Sequence, residues 1–251
     1  MKTILLTNDD GFFSKGISTL KERLAGKYRV VIVAPDRERS AISMALTLHH
    51  PLRVKEIADD VFAIDGTTAD CVNVALQKLL PAKPDFVLSG MNLGENLAED
   101  IFFSGTVGGA FCGSLYGIPS LAISLIMEPG AKAQAGCDFA AAARIGENVL
   151  ERLLPHADAS MVYNLNIPFP NNGRIRVTAL GKKHYTPDII ERHDPRGNAY
   201  YWIGTGIPTY AGEEGTDIWA VKNGYISLGV IHYGMNASQE IARLAKHFDT
   251  K

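Results

Sequence analysis

An apolar run that ends abruptly on acid constrains this chain more than any other feature. Ile4-Leu5-Leu6 and Thr7 lead straight into Asn8-Asp9-Asp10-Gly11. The run is too short for a helix and is bounded by turn residues, which predicts a buried strand. Strands buried on both faces belong to parallel sheets, and ligands bind beyond the carboxyl ends of such strands. Two neighbouring carboxylates at that edge repel each other and lose water, so a cation should compensate them. A divalent ion is the simplest candidate. The plainer reading is that Asp9 or Asp10 only caps the helix starting near Gly16. Asn-Asp-Asp-Gly in one tight turn is more than a cap needs.

The rest of the N-terminal half repeats this design. Ile17, Leu20 and Leu24 have helical spacing and Gly26 ends that helix. Tyr28-Arg29-Val30-Val31-Ile32-Val33-Ala34 is a second strand, stopped by Pro35. The resulting βαβ unit should cross over right-handed, which brings the loop Asp36-Arg37-Glu38-Arg39-Ser40 to the same sheet edge as the acid pair. Leu46-Thr47-Leu48, Leu52-Arg53-Val54 and Val61-Phe62-Ala63-Ile64 are expected as short strands. Thr67 and Asp70 have capping-box spacing ahead of a helix whose apolar face is Val72, Leu76 and Leu79. Phe86-Val87-Leu88 is another buried strand, ending in the Gly/Asn-rich loop Ser89 to Asn96. Ser104-Gly105-Thr106 then opens a small-residue helix whose free N–H groups suit an anion such as phosphate. Leu121 to Leu125, Phe139 to Leu154 and Met161 to Ile167 read as strand, helix and strand.

Beyond about Arg174 the texture changes. Arg174 to Val177 and Tyr225 to Leu228 alternate like half-exposed strands, and helical spacing returns only at Ile241. Tyr200, Tyr201, Trp202 and Trp219 either cover one end of the core or form an exposed arm against another subunit; the arm is favoured. The chain has 251 residues, 46% of them hydrophobic, enough for one sizeable α/β domain. Its net charge of -2 offers no general attraction to nucleic acid or anionic membrane. Residues 101–127 carry no charge, but Gly117-Ile118-Pro119 breaks them in two, so a membrane span is not expected. Cys71, Cys112 and Cys137 are odd in number and lack CxxC spacing, which points to a reducing compartment. A strand begins almost at the first residue, so no signal or transit peptide is expected.

Three loops therefore meet at one edge, carrying Asp9 and Asp10, then Ser40, then Asn92 and Asn96. Carboxylate, hydroxyl and amide oxygens are hard donors suited to Mg²⁺ or Mn²⁺. Such an ion can bind a phosphoryl oxygen and activate a water. With the helix start at Ser104 as anion cradle, a phosphomonoesterase is the natural expectation. An aspartyl nucleophile would want Asp-x-Asp after the first strand; here the pair is Asn8 and Asp10, so water is the expected attacker.

The motifs Asn8-Asp9-Asp10-Gly11, Ala34 to Ser40, Gly66 to Val72, Ser89-Gly90-Met91-Asn92 and Ser104 to Gly108 resemble the SurE survival-protein family. The likeness recurs at Gly215-Thr216-Asp217-Ile218 and Asn223 to Ser227. It implies a metal-dependent 5'(3')-nucleotidase in the cytoplasm, hydrolysing nucleoside 5'-monophosphates, with 3'-monophosphates and short polyphosphate as further substrates. By resemblance, one Mg²⁺ or Mn²⁺ per subunit rests on Asp9, Asp10, Ser40 and Asn92. The phosphate rests on Asn96, Ser104, Gly105 and Thr106, and the catalytic groups are Asp9, Asp10 and Asn96, with Asp9 or Asp10 taking the water's proton. It also implies an α/β fold: a three-layer Rossmann-like core with a mostly parallel sheet over 1–180. A β-rich C-terminal arm over 181–235 swaps between subunits of a homodimer or homotetramer, and a terminal helix covers 236–251. Ser14-Lys15, Ala41 and Leu228-Gly229-Val230 depart from the family's usual Ala-Pro, Gly and Thr-Pro-Leu, outside the ligand set.

The competing class is a non-catalytic nucleotide-binding module, but neither GxGxxG after the first strand nor GxxxxGK[ST] occurs. His49 and His50 lack ligand spacing, and His184, His193 and His232 read as structural or exposed. Lys182, Lys183, Arg192 and Arg196 read as a solvated face, or as cations holding the substrate across a subunit interface.

Overall fold

The computed structural model describes residues 1–127, 138–185, 188–204, 209–234 and 236–248. Cys137 and the end of the expected terminal helix lie outside the described residues.

Strand β1 (Thr3–Thr7) is followed by α1 (Lys15–Leu24) and β2 (Arg29–Pro35). Then come β3 (Val54–Ala58), β4 (Val61–Ile64) and α2 (Thr68–Val74), which continues as a wider turn over Ala75–Leu79. Next are β5 (Phe86–Leu93), a tight 3₁₀ turn at Ala98–Phe102, α3 (Gly105–Leu115) and β6 (Ser120–Met127). After α4 (Phe139–Leu153) come β7 (Met161–Phe169), β8 (Ile175–Thr178), β9 (Lys182–His184), β10 (Asp188–His193), β11 (Ala199–Gly204) and β12 (Thr209–Ala211). The chain closes with α5 (Asp217–Lys222), β13 (Ile226–His232) and α6 (Ser238–Phe248).

Nine strands form one sheet in the order β3-β4-β2-β1-β5-β6-β7-β13-β8. The run β4-β2-β1-β5-β6-β7 is parallel throughout. β3 and β13 each pair antiparallel with a neighbour. The strand order reverses at β1 and β5, where connections leave to opposite sides. That crevice is where open α/β sheets bind ligands.

The expected three layers are present. On one face Ile17, Leu20 and Leu24 of α1 and Val149 and Leu150 of α4 pack against Ile4, Leu6, Phe86 and Leu88. On the other, Cys71 and Val72 of α2 and Cys112 of α3 meet Leu5, Val31 and Val87. Each fully buried aliphatic side chain stabilises the fold by roughly 1.5–3 kcal/mol. Glu147 of α4 is clamped by Arg23 and by Lys27, the latter at 2.9 Å, which ties the two helices of the first face together. The capping box of Thr67 and Asp70 forms as expected. Among the described residues no helix is long and apolar enough to cross a membrane.

Two expectations need correction. Leu46-Thr47-Leu48 is not a strand. The Thr47 N–H is taken by the Asp70 carboxylate, and the Ala45 carbonyl accepts from the Thr67 hydroxyl. The α2 cap thus holds the segment at Ala45 and Thr47, away from the sheet. Second, the sheet is not confined to the core expected over 1–180. β13 inserts between β7 and β8, and α5 and β13 bury Ile218, Ala220, Ile226 and Ile231. Residues 217–232 of the segment expected as an arm thus lie in the main body. Trp219 stacks on Tyr225 there, with ring centroids 5.7 Å apart. Two small antiparallel pairs, β10-β11 and β12-β9, remain outside the sheet.

Candidate active site

The site is built at the carboxyl ends of β1, β2 and β5. β1 delivers Asp9, only 4% exposed, and the half-buried Asp10. Asn8 shapes their turn: its Nδ2 donates to the Gly11 carbonyl at 3.0 Å and to Ser14 Oγ at 2.8 Å. The loop after β2 folds back onto the turn through the Arg39 N–H, 2.7 Å from the Asp9 carbonyl. It ends at Ser40, whose hydroxyl donates to Glu38 at 2.8 Å.

β5 must bend to bring Asn92 in. Its register against β6 shifts between Gly90 and Asn92. Gly90 sits at φ +134°, where a Cβ would come within 2.4 Å of the Ile123 carbonyl, so only glycine fits. Asn92 Nδ2 then donates to the Gly94 carbonyl at 3.1 Å, which orients the amide. Asn96 is held more completely. Its N–H meets Asn166 Oδ1, its carbonyl accepts from Asn164 and Asn166, and its own Nδ2 donates to Ser124 Oγ at 2.7 Å.

Asp9, Ser40, Asn92, Asn96 and Ser104 line one open cleft of about 330 Å³. Asp10 follows Asp9 in the chain and is half-buried, but it is not among the residues that line the cleft. Ser104 caps α3 by accepting from the Val107 N–H, which leaves its own O–H free to donate. Gly105 packs directly on Asp9: a Cβ there would lie 2.7 Å from Asp9 Oδ2. Thr106, expected as a phosphate contact, is fully buried, and its hydroxyl donates to Asp9 Oδ1. It therefore holds the carboxylate rather than facing the cleft.

The electrostatics are those of uncompensated acid. Burial raises the Asp9 carboxyl above its ordinary value, opposed by the Thr106 hydroxyl and by backbone N–H groups. Asp10 has no such help. Burial first, then the charges of Asp9 and Glu38, push it up to about 7. No ion pair among the described residues involves either acid. Nor do three His, Cys, Asp or Glu side chains cluster as a metal site among those residues. A cation here would draw on the hydroxyl of Ser40 and the amide of Asn92 besides the two acids, and that hard-oxygen set fits Mg²⁺ or Mn²⁺.

The cleft also holds residues that the motifs did not point to. Glu95, Asp100 and Phe103 line it, as does Lys183 from β9. From the sequence, Lys183 reads as a surface cation or as a cross-subunit contact. Instead its side chain is 9% exposed, and Nζ lies 2.8 Å from both Glu95 and Asp100 of the same chain. Burial disfavours its charge, but those two carboxylates outweigh this and raise its pKa. Lys183 is less exposed than Lys182 and His184, as alternation along a strand requires, but all three residues are polar and so left no signal of this in the sequence. No histidine lines the cleft.

A doubly wound α/β protein with a hard-oxygen cleft at its switch point is the class that this geometry defines. The family model described as survival protein SurE matches residues 4–187. A 5'-nucleotidase SurE of Geotalea daltonii is 42% identical over 250 residues, covering 97% of this chain and 98% of the relative. One from Geobacter sulfurreducens is 47% identical over 230 residues, covering 91% and 87%. The crystal structure of the SurE protein from Aquifex aeolicus superposes with a TM-score of 0.82 at 37% identity, covering 99% of this chain and 100% of that one. The chain belongs to the SurE family.

Proposed function

We propose that this chain is a metal-dependent phosphomonoesterase that hydrolyses nucleoside 5'-monophosphates, and extends to 3'-monophosphates and short polyphosphate. The observation that carries the reading is the meeting of Asp9, Ser40 and Asn92 with the Ser104 start of α3 in one cleft. The names of the relatives, 5'-nucleotidase SurE, support the nucleotide as substrate. Asp9, Asp10, Ser40 and Asn92 would hold one Mg²⁺ or Mn²⁺, which would supply Lewis acidity to polarise the phosphoryl group and activate water. The Ser104 hydroxyl, the Gly105 N–H and the Asn96 amide orient the phosphate oxygens and stabilise their charge. Asp9 is fixed by Thr106, whereas Asp10 has no side-chain hydrogen bond among the described residues. Asp10 is accordingly the freer group to take a proton from the attacking water.

The hairpin β10-β11 exposes Ile189, Tyr201, Trp202 and Ile203. We read it as an arm that swaps between subunits in a homodimer or homotetramer. Cys71 and Cys112 are buried and unpaired, which supports a cytoplasmic site of action.

Phosphate release from a panel of nucleoside 5'- and 3'-monophosphates, with Mg²⁺, Mn²⁺ or chelator, tests the activity. Turnover with metal and none with chelator is expected. Binding of nucleotide without release under any condition would instead establish a non-catalytic binding module. Replacing Asp10 by Asn should lower kcat by at least ~100-fold while the folded state persists by circular dichroism.

A further inference from the structure

Phe103 is out of place for a residue serving only the fold. It is 58% exposed, yet it lines a polar cleft and directly precedes Ser104, the cap of α3. Its backbone is fixed on both sides: its N–H donates to the Asp100 carbonyl at 3.0 Å, and its carbonyl accepts from the Ser43 N–H at 3.0 Å. Its ring is fixed too. Tyr185 of the segment after β9 meets it edge-on, with centroids 6.0 Å apart and planes at 86°. The Tyr185 hydroxyl in turn donates to Asp100. A ring held rigidly in water, next to a phosphate cradle, is a surface prepared for a flat apolar group.

The neighbouring rings are already engaged. The Lys183 ammonium stands over Tyr185 at 5.4 Å and over Tyr210 at 5.2 Å from the centroids. Tyr210 is also tied to Glu95 through its hydroxyl, at 2.7 Å. Among the described residues no cation stands over Phe103, so its face is open to a ligand. Nucleobases stack on such a face whatever their identity, because each has a π-surface.

We propose that Phe103, braced by Tyr185, is the nucleobase platform of this cleft. It is a specificity-determining contact by which nucleotides are selected over phosphomonoesters lacking a base. The inference rests on the phosphomonoesterase reading above and adds to it the part of the substrate that the phosphate and metal groups do not touch.

The test compares adenosine 5'-monophosphate with ribose 5-phosphate, which carries the same ester without the base. Phe103→Ala should lower kcat/KM for the nucleotide roughly 5- to 150-fold more than for the sugar phosphate, the range that ring stacking supports. The loss should lie mainly in KM. Phe103→Trp should keep the selectivity. Phe103→Leu, which keeps apolar bulk without a π-face, should lose it in the same direction, and it decides the matter if the alanine variant does not fold. An unchanged ratio between the two substrates in both the alanine and the leucine variants would overturn the platform while leaving the hydrolase intact. Equal losses on both substrates, with a changed mass by light scattering, would overturn it in favour of a subunit contact. A wild-type protein that hydrolyses neither ester would overturn the phosphomonoesterase reading, and the platform with it.

Discussion

Asp9 and Asp10 are adjacent in sequence but not equivalent in the fold. Thr106 donates its hydroxyl to Asp9, and the backbone N–H groups of Thr106 and of Asp9 itself add to it, so the charged form of Asp9 is supported. Replacing Thr106 by Val keeps the shape and removes that donor. A buried carboxylate oxygen is then left unmet, at a cost of about 1–3 kcal/mol. A thermal melt should show the loss, and the metal concentration for half-maximal activity should rise. Asp10 makes a different prediction for the metal-free protein. Its carboxyl gives up a proton near 3.8 when unfolded but only at about 7 when folded. Between those values the native state binds more protons than the unfolded one, so stability falls as pH rises across that window and levels off above it. Denaturant titrations in chelator from pH 4 to 8 should show this limb, and Asp10→Asn should reduce it to the part that the raised carboxyl of Asp9 contributes.

At the scale of elements, the start of α3 shows how tightly the site is built into a helix. Glycine inside a helix normally costs up to about 1 kcal/mol relative to alanine, so Gly105→Ala would ordinarily stabilise. Here the added Cβ would lie 2.7 Å from Asp9 Oδ2 and 2.8 Å from Asp9 Cβ. The sign should therefore reverse: the variant should melt lower than wild type by roughly 1–3 kcal/mol and lose activity. The helix itself was legible, because Ser104 before small residues is a cap signal and the apolar runs around it have strand length. The Leu46 to Leu48 segment was not, since its alternation is that of a strand while its backbone is claimed by Asp70 from a helix more than twenty residues away. A local pattern carries no information about such a competitor. The role of Thr106 was hidden in the same way: a threonine at a helix start reads as an anion donor, and only the packing reveals that the anion is Asp9.

Across the whole molecule, the parallel half of the sheet could be read from its apolar runs, and the site edge from the polar residues that end them. The C-terminal third could not, because its two roles alternate along the chain. β8 and β13 belong to the sheet, while β9 to β12 leave it, and apolar residues recur in both groups although β13 is mostly buried and β10 to β12 are exposed. Asp217 is where these parts are joined. Its Oδ2 accepts the Ala98 N–H at 2.8 Å, from the turn beside the cleft. Its Oδ1 accepts the Gly181 N–H at 2.7 Å, just before β9, and the Ile218 N–H at 2.7 Å, in α5. Burial raises its carboxyl pKa despite these donors, so the group is held by geometry at an electrostatic cost. Asp217→Ala would strand N–H groups on three separate segments at once, which should cost about 2–4 kcal/mol. For a chain of this size each kcal/mol lowers the melting temperature by roughly 2–4 °C. The loss should not be uniform. Amide exchange should accelerate at Ala98 and over Gly181 to His184 while β1 and β5 stay protected, because the tie joins the start of β9 to the cleft rather than the core to itself. Asp217→Asn, which keeps one carbonyl oxygen, should recover part of the stability. Full stability in the alanine variant would mean that the contacts of Lys183, Tyr185 and Tyr210 with Glu95 and Asp100 suffice to hold β9 and β12 against the cleft.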